Sequence, residues 1–327
     1  MNRRHFLLIC IAGAVGAPRS ASGQRPERVA RIGILRSEDR PLDDRLRQNF
    51  AALRAGLQDE GYAEGQHYRI DYHSAKTEAD VPGLAAALVR DKVDVIHAAG
   101  YVAIRAAQNA TQTIPIVAHD YETDPVAAGF VATLAKPGGN ITGMFLDLPE
   151  ISGKLLELLK TTLPHLRRIA VLWDPLTGKA QVIAVEQAAK ALGIEIQILE
   201  GRAGALERTV RSVTDGKAGA LLLLGSPVVA ASFPKIAGAA TANRLPTVAL
   251  FPAFARAGGL MSYGPDAVDQ YRQEGRMVAK ILKGTKSGDL PVERPTKFYF
   301  LINLKTARAL GLEIPPSLLL RADQVIE

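Results

Sequence analysis

Residues 168–199, RIAVLWDPLTGKAQVIAVEQAAKALGIEIQIL, contain two strand patterns on either side of a helix pattern. The aliphatic run at 168–173 predicts a strand, and residues 181–192 have the apolar spacing of a helix that stops at Gly193. A second aliphatic run at 195–199 predicts another strand. Strands and helices that alternate in this way form parallel sheets covered by helices on both faces.

The alternation extends over nearly the whole chain. The predicted strands are 31–36, 68–73, 93–98, 114–119 and 141–146 in a first series, and 168–173, 195–199, 219–224, 246–251 and 260–263 in a second. Helices are predicted at 44–60, 81–90, 101 onwards, 152–163, 181–192 and 206–214. The nearly continuous apolar run at 220–224 favours a strand buried on both faces. Two series of five strands predict an α/β protein with two doubly wound parallel-sheet lobes.

The last part of the chain is predicted to pack on the two lobes that the preceding residues form. A helix is predicted at 266–283, a Gly/Pro-rich break follows to 295, and a strand at 297–302 precedes a helix at 304–310. We therefore predict one lobe from 29–146 plus 264–290 and a second from 147–263 plus 291–327, joined by a hinge of three crossings. Open α/β sheets bind ligands beyond the carboxyl ends of their strands, so two facing lobes form a cleft that closes on a small molecule.

Residues 1–23 have the composition of an export signal. A basic start at Arg3-Arg4 precedes an apolar run at 6–16 and a small-residue region that ends at Gly23. The order Arg-Arg-His-Phe-Leu resembles a twin-arginine signal, and an ordinary secretory signal is the alternative. We expect cleavage after Gly23 and a periplasmic location. The only cysteine, Cys10, lies in this segment, so the mature chain would have neither a disulfide nor a cysteine nucleophile.

The charge and motif content exclude several classes of function. Loss of Arg3, Arg4 and Arg19 lowers the net charge from +7 to +4, and no run of basic residues indicates a nucleic-acid partner. No phosphate loop, dinucleotide fingerprint or nucleophile elbow is present, and we expect no cofactor. His97 and His119 end neighbouring strands, but the spacing of the His residues predicts no metal site.

Ligand-contacting residues are predicted where strands end, at the turns into the following helices. The candidates are Ser37, Gly100, Tyr101, Asp120, Asp147, Trp173, Asp174, Ser226, Phe251 and Tyr263. Asp124, Asp174 and Ser226 precede prolines, a pattern that also suits helix capping. The four aromatic residues of this set could equally pack in the core.

The charges near these strand ends suggest a zwitterionic ligand. Acidic residues are predicted to gather at the mouth of the cleft: Asp120, Glu122, Asp124, Asp147 and Asp174. Such a mouth favours an amine, because a buried carboxylate without a partner is costly. The helix that starts at Tyr101 offers free amides for a carboxylate. We therefore expect an amino-acid-like ligand.

Several longer motifs resemble those of a family of bacterial ABC-transporter substrate-binding proteins. They are Pro-Gly-Gly-Asn-Ile-Thr-Gly at 137–143, Ala-Gly-Gly-Leu-Met-Ser-Tyr-Gly-Pro at 257–265, Leu-Pro-Val-Glu-Arg-Pro-Thr-Lys-Phe at 290–298 and Ile-Pro-Pro-Ser-Leu-Leu-Leu-Arg-Ala-Asp at 314–323. The resemblance implies a type I periplasmic binding-protein fold and, from relatives of known ligand, aromatic amino acids. Tyr101-Val102 and Asp174 depart from the family's usual residues, so the ligand is not carried over.

The resemblance implies the solute-binding component of an ABC importer, a monomer that delivers a small molecule to an inner-membrane ABC permease without chemical change. Two alternatives stay open. One is an enzyme that uses Asp120 and His119 as an acid–base pair, and the other is a lobe that senses its ligand for a membrane receptor.

Overall fold

The computed structural model describes residues 28–37, 44–121, 123–146, 148–177, 179–202, 204–213 and 217–327. The predicted export signal at 1–23 lies outside the described residues, and so do Glu122 and Asp147. The strands are β1 (Ala30–Arg36), β2 (Tyr68–Ser74), β3 (Val95–Ala99), β4 (Ile116–Asp120), β5 (Ile141–Phe145), β6 (Arg168–Trp173), β7 (Glu195–Glu200), β8 (Leu221–Leu223), β9 (Thr247–Ala249), β10 (Met261–Gly264), β11 (Tyr299–Asn303) and β12 (Gln324–Ile326).

Helices follow most of these strands. They are α1 (Asp44–Asp59), α2 (Val81–Arg90), α3 (Tyr101–Ala110), α4 (Leu148–Thr162), α5 (Ala180–Leu192), α6 (Leu206–Arg211), α7 (Pro227–Ala231), α8 (Phe233–Ala242), α9 (Pro252–Arg256), α10 (Ala267–Leu282), α11 (Leu304–Leu310) and α12 (Pro316–Leu319). Most predicted elements are found within a few residues of their expected bounds, although α4 begins four residues earlier than predicted.

The strands form two sheets. The first has the order β2-β1-β3-β4-β5, and all its pairs are parallel. The second has the order β12-β11-β10-β9-β8-β6-β7 and contains one antiparallel pair, β10 with β11. The predicted α/β fold with two parallel-sheet halves is confirmed. The second sheet is larger than the predicted series because β11 and the unpredicted β12 extend its edge.

Both sheets are buried on both faces, as parallel sheets require. In β1, Ile32 and Ile34 face α1 and α10, whereas Leu35 belongs to the cluster on the opposite face. In β8, Leu222 packs on one side and Leu221 and Leu223 on the other. This alternation is the period of two that a strand imposes on its side chains.

The chain passes between the two sheets more than once. β5 ends in the first sheet, and β6 begins in the second. After β10 the chain enters α10, which packs against α1 beside the first sheet. It stays there until Glu293, whose amide donates to the carbonyl oxygen of Gly143 at 2.9 Å, and β11 then rejoins the second sheet. The lobe boundaries given above stay a prediction.

Candidate functional site

A cavity with a volume of about 100 Å³, partly open to solvent, lies between the carboxyl edges of the two sheets. The first sheet and its helix α1 contribute Arg36, Arg45, Leu46, Gln48, Asn49, Ala99, Gly100, His119 and Tyr121 to its lining. The second sheet and its helices contribute Ser226, Ala230, Phe251, Pro252, Ala253 and Arg256, and the start of α10 contributes Asp266, Ala267, Val268 and Tyr271. Both halves therefore contribute to the cavity. It lies beyond the carboxyl ends of the strands, where open α/β sheets bind their ligands, and we call this expectation the strand-end rule.

Helices begin at this cavity. α3 begins immediately after Gly100, which has a φ of 84° and an amide that donates to the carbonyl oxygen of His119 at 2.9 Å. A φ in this region suits glycine, because other residues would strain there. α10 begins after Asp266, and α1 presents its first turns through Arg45 and Asn49. The N-terminal ends of three helices make the surroundings electrically positive.

Three arginines reinforce this positive character. Arg36, at the end of β1, is largely buried, and its Nη1 donates to the hydroxyl oxygen of Tyr271 at 2.9 Å. Arg45 lies half-buried on the first turn of α1. Arg256 forms a salt bridge of 2.9 Å with Asp266. The described lining thus contains three arginines and one carboxylate.

Aromatic rings form another part of the lining. The rings of Tyr121 and Phe251 lie 5.2 Å apart, and those of His119 and Tyr121 lie 4.4 Å apart. Tyr271 contacts the other side of His119 at 4.6 Å between ring centroids. Complete burial raises the pKa of the Tyr271 hydroxyl, so it stays protonated at neutral pH. These rings offer a flat, largely apolar surface to a ligand.

Beneath this surface lies a buried array of two histidines and a carboxyl group. Glu274, on α10, contacts His97 Nε2 through Oε2 at 2.8 Å and His119 Nδ1 through Oε1 at 2.6 Å. Burial raises the pKa of Glu274, and the bond from His97 opposes that shift. The sequence gives no local sign of this array, since 177 residues separate His97 from Glu274.

Three of the ten predicted site residues line the cavity: Gly100, Ser226 and Phe251. The hydroxyl of Ser226 accepts from the amides of Val228 and Val229, so it also caps α7. It donates to Asp174 Oδ2 at 2.6 Å. Asp174 is buried and does not line the cavity, but it holds the hydroxyl of Ser226, which does.

Four other predicted residues lie outside the described lining. Ser37 is half-buried near Gly100, and Trp173 packs against the core of the second sheet. Tyr101 is 44% exposed, with its ring 5.6 Å from that of Phe130. Tyr263 stacks on Phe298 at 5.9 Å and lines a separate groove beside Arg294.

The predicted acidic mouth is not part of the described lining. Asp120 is 1% exposed and does not line the cavity. Asp124 accepts from the amides of Val126 and Ala127 and so closes a turn, since no helix is described between β4 and β5. Glu122 and Asp147 lie outside the described residues. The carboxylate bound to His119 Nδ1 is that of Glu274.

The strand-end rule could have found Arg36, which ends β1 just before Ser37. It could not have found Tyr271, Asn49 or Arg45, because these belong to helices that reach the cavity from elsewhere in the chain. Among the described residues, no group of three or more His, Cys, Asp or Glu is arranged to hold a metal ion. No described helix is both long and apolar enough to cross a membrane.

Two parallel-sheet halves with a cavity between their carboxyl edges define a type I periplasmic binding protein. The chain belongs to the ABC transporter substrate-binding protein family, whose profile matches residues 43–326. The family and the function predicted from the sequence, substrate binding for an ABC transporter, are thereby confirmed. Membership implies a small-molecule ligand and an ABC permease as partner.

Named relatives support this assignment. A tyrosine-binding protein of Clostridioides difficile is 31% identical over 287 residues, which cover 86% of this chain and 81% of that protein. The crystal structure of an ABC domain from Streptococcus pneumoniae in complex with L-Trp is 28% identical, covers 91% of this chain and 100% of its own, and has a TM-score of 0.81.

A ligand-free, open substrate-binding protein with adhesive properties from Clostridium difficile is also 28% identical. It covers 91% of this chain and 99% of its own, and its TM-score is 0.66. At equal identity, the likeness is therefore greater to the L-Trp complex than to the open structure.

Proposed function

We propose that this chain is the extracytoplasmic solute receptor of an ABC importer and that its cavity binds an α-amino acid with an aromatic side chain. The observation that carries the proposal is the composition of the cavity. Arginines and helix N-terminal ends lie beside a cluster of aromatic rings in one partly open cavity. A carboxylate suits the first part and a flat side chain suits the second.

The carboxylate would bind near Arg36 and Arg45. Ion pairs and charge-assisted hydrogen bonds are stronger in a desolvated cavity than at a surface. The N-terminal end of α3 at Gly100 adds amides that can donate to the same group.

The side chain would lie against Tyr121 and Phe251, which come from different halves of the molecule. Aromatic pairs prefer centroid separations of about 4.5–7 Å, and each pair adds about 0.5–1.5 kcal/mol beyond the burial of area. The names of the relatives, one tyrosine-binding and one in complex with L-Trp, support this class of ligand.

Closure of two lobes around the ligand is part of the proposal. The lobes are those predicted from the sequence, 29–146 plus 264–290 and 147–263 plus 291–327. The contact between Tyr121 and Phe251 and the greater likeness to the L-Trp complex support a closed arrangement. The ABC permease would recognise this form, because the ligand shifts the receptor toward it.

The remaining parts of the proposal concern the compartment and the assembly. Residues 1–23 would direct export, by the twin-arginine or the general secretory route, and would then be removed. The mature protein would act in the periplasm as a monomer and release its ligand chemically unchanged.

A thermal-shift screen over L-amino acids, amines, dicarboxylates and sugars tests the ligand class. A ligand present at 100 times its dissociation constant stabilises the folded protein by about 2.7 kcal/mol, which raises the melting temperature measurably. We expect L-Trp, L-Tyr or L-Phe to give the largest shift. Stabilisation by sugars or dicarboxylates alone would contradict the proposal.

A pair of variants on α1 tests where the carboxylate binds. Arg45→Gln removes a charge from the lining, and Arg47→Gln removes one from an exposed position of the same helix. We expect the first to reduce the thermal shift and the second to leave it unchanged. Equal shifts in both variants would place the carboxylate elsewhere.

A further inference from the structure

The array of His97, Glu274 and His119 has a definite pattern of protons. His97 and the Glu274 side chain are fully buried, and both carboxylate oxygens of Glu274 have a histidine partner. His97 Nδ1 has no hydrogen-bond partner among the described residues. A proton on that nitrogen would be a buried donor without an acceptor, which costs more than a bare lone pair. The proton of His97 therefore lies on Nε2, which donates to Glu274.

The contact with Glu274 also decides which ring nitrogen of His119 donates and which accepts. When Glu274 is ionised, its Oε1 accepts the proton of His119 Nδ1 across 2.6 Å. The partner of one ring nitrogen decides which tautomer a histidine adopts, so His119 Nε2 then carries the lone pair. Tyr121 and Tyr271 hold the ring from two sides. His119 lines the cavity, and with Nδ1 bound to Glu274 the ring nitrogen left for a contact with a ligand is Nε2.

We infer that His119 accepts a hydrogen bond from the ammonium group of the bound amino acid, and that Glu274 is the positioning residue that gives His119 this polarity. The inference rests on the proposed function and assigns the second charged group of the ligand. Arg36 and Arg45 supply the positive region of the cavity. The ionised form of Glu274 supplies a negative charge directly beneath its lining.

Within the described residues, the charged and titratable groups around the array come from five elements and from the residue after β4. They are Arg36 on β1, Arg45 on α1, His97 on β3, His119 on β4, Tyr121 after β4, and Tyr271 with Glu274 on α10. β5 contributes no titratable side chain. Arg36 favours the ionised form of Glu274.

One additional proton reverses the polarity of the site. A protonated Glu274 donates to His119 Nδ1, and the ring then carries its proton on Nε2 and no longer accepts from an ammonium group. Burial raises the pKa of Glu274, so this change occurs at a higher pH than for an exposed glutamate. Affinity for an amino acid should therefore fall as the pH is lowered, whereas affinity for the same molecule without its amine should not.

The test compares L-tryptophan with indole-3-propionate, which lacks the ammonium group, by titration calorimetry. Glu274→Gln imposes an amide N–H on the array, and Glu186→Gln makes the same change at an exposed position of α5. We expect Glu274→Gln to weaken tryptophan binding about 10- to 100-fold, the usual range for a hydrogen bond to a charged group, and to leave indole-3-propionate within about twofold. Glu186→Gln should change neither affinity.

Equal weakening of both compounds by Glu274→Gln would overturn the inference, because it would show a structural role only. A wild-type protein that binds neither tryptophan nor any other amino acid would instead refute the proposed function. A third measurement needs no variant that might misfold. The ¹⁵N chemical shifts of His119 in the wild-type protein at pH 7.5 should show the proton on Nδ1, and a proton on Nε2 would overturn the inference by itself.

Discussion

The ring centroids of Tyr121 and Phe251 lie 5.2 Å apart, although Tyr121 follows β4 of the first sheet and Phe251 follows β9 of the second. The contact joins the carboxyl edges of the two sheets on the lining of the cavity. A ligand that inserts its ring beside this pair would touch both halves at once. Such a ligand stabilises the closed arrangement by the difference in its affinity for the closed and open forms.

Phe251→Leu tests this aromatic contact. The substitution keeps an apolar side chain of similar size and removes the ring. We expect the affinity for an aromatic amino acid to fall up to about tenfold, because an aromatic pair contributes about 0.5–1.5 kcal/mol beyond its buried area. Calorimetry with L-tryptophan and L-leucine measures the difference. A parallel loss for both amino acids would show that the ring of Phe251 contributes only packing.

Gly56→Ala tests the contact between α1 and α10, the two helices that present Arg45 and Tyr271 to the cavity. A Cβ atom at Gly56 would lie 1.9 Å from the carbonyl oxygen of Arg272, so the helices would have to separate. We expect a loss of about 1–3 kcal/mol in the free energy of unfolding, as for other overpacked sites. Gly83→Ala on α2 is the control, since nothing lies within 4 Å of its Cβ position. A stable Gly56→Ala variant would contradict the close approach.

Asp59 tests the ionic contacts on the outside of the same helix pair. Its carboxylate accepts hydrogen bonds from Arg272 and Arg276, and these bonds hold the pKa of Asp59 well below its usual range. A carboxylate whose pKa is lower in the folded protein contributes its full stabilisation when the pH is above its pKa in the unfolded chain, about 3.9. This stabilisation is lost as the pH falls toward the pKa in the folded protein.

The difference in the free energy of unfolding between wild type and Asp59→Asn should therefore be full at pH 6 and shrink below about pH 4. Denaturant titrations at several pH values measure it. Asp289→Asn, at an exposed position, should show no such trend. A difference that stays constant down to pH 2 would rule out the ionic contribution of Asp59.

The predicted export signal can be tested by replacing Arg3 and Arg4 with lysine. Twin-arginine transport should collapse, because that route depends on the arginine pair, whereas a general secretory signal keeps a basic start. Cell fractionation measures the mature protein in the periplasm. Normal amounts there would assign the secretory route and leave the compartment unchanged.

Most of the fold could be predicted because the strands are apolar, short and separated by amphipathic helices. β6 has the predicted bounds, and β1 and β7 differ by a single residue. β12 was missed because three residues, beginning with Gln324, carry no periodic signal. The antiparallel pairing of β11 depends on where the returning chain finds a free sheet edge, which local sequence does not encode.

The candidate site could be predicted only where it follows the strand-end rule. Gly100 comes directly after β3, and Ser226 and Phe251 lie shortly after the ends of β8 and β9. Tyr263 also lies at a strand end, but there the chain turns toward α10 and its ring stacks on Phe298. Tyr271 is bonded to Arg36 across 235 residues, a contact that only the packing of α10 against the first sheet creates.

A crystal structure of the protein grown with L-tryptophan would show where the ligand binds and in which orientation. We predict the ligand between the two sheets, with its carboxylate in hydrogen-bonding distance of Arg36 or Arg45, its ring against Tyr121 and Phe251, and its ammonium group on His119. Density for tryptophan outside this cavity, or a carboxylate bound on the His119 side with the amine facing the arginines, would contradict the account.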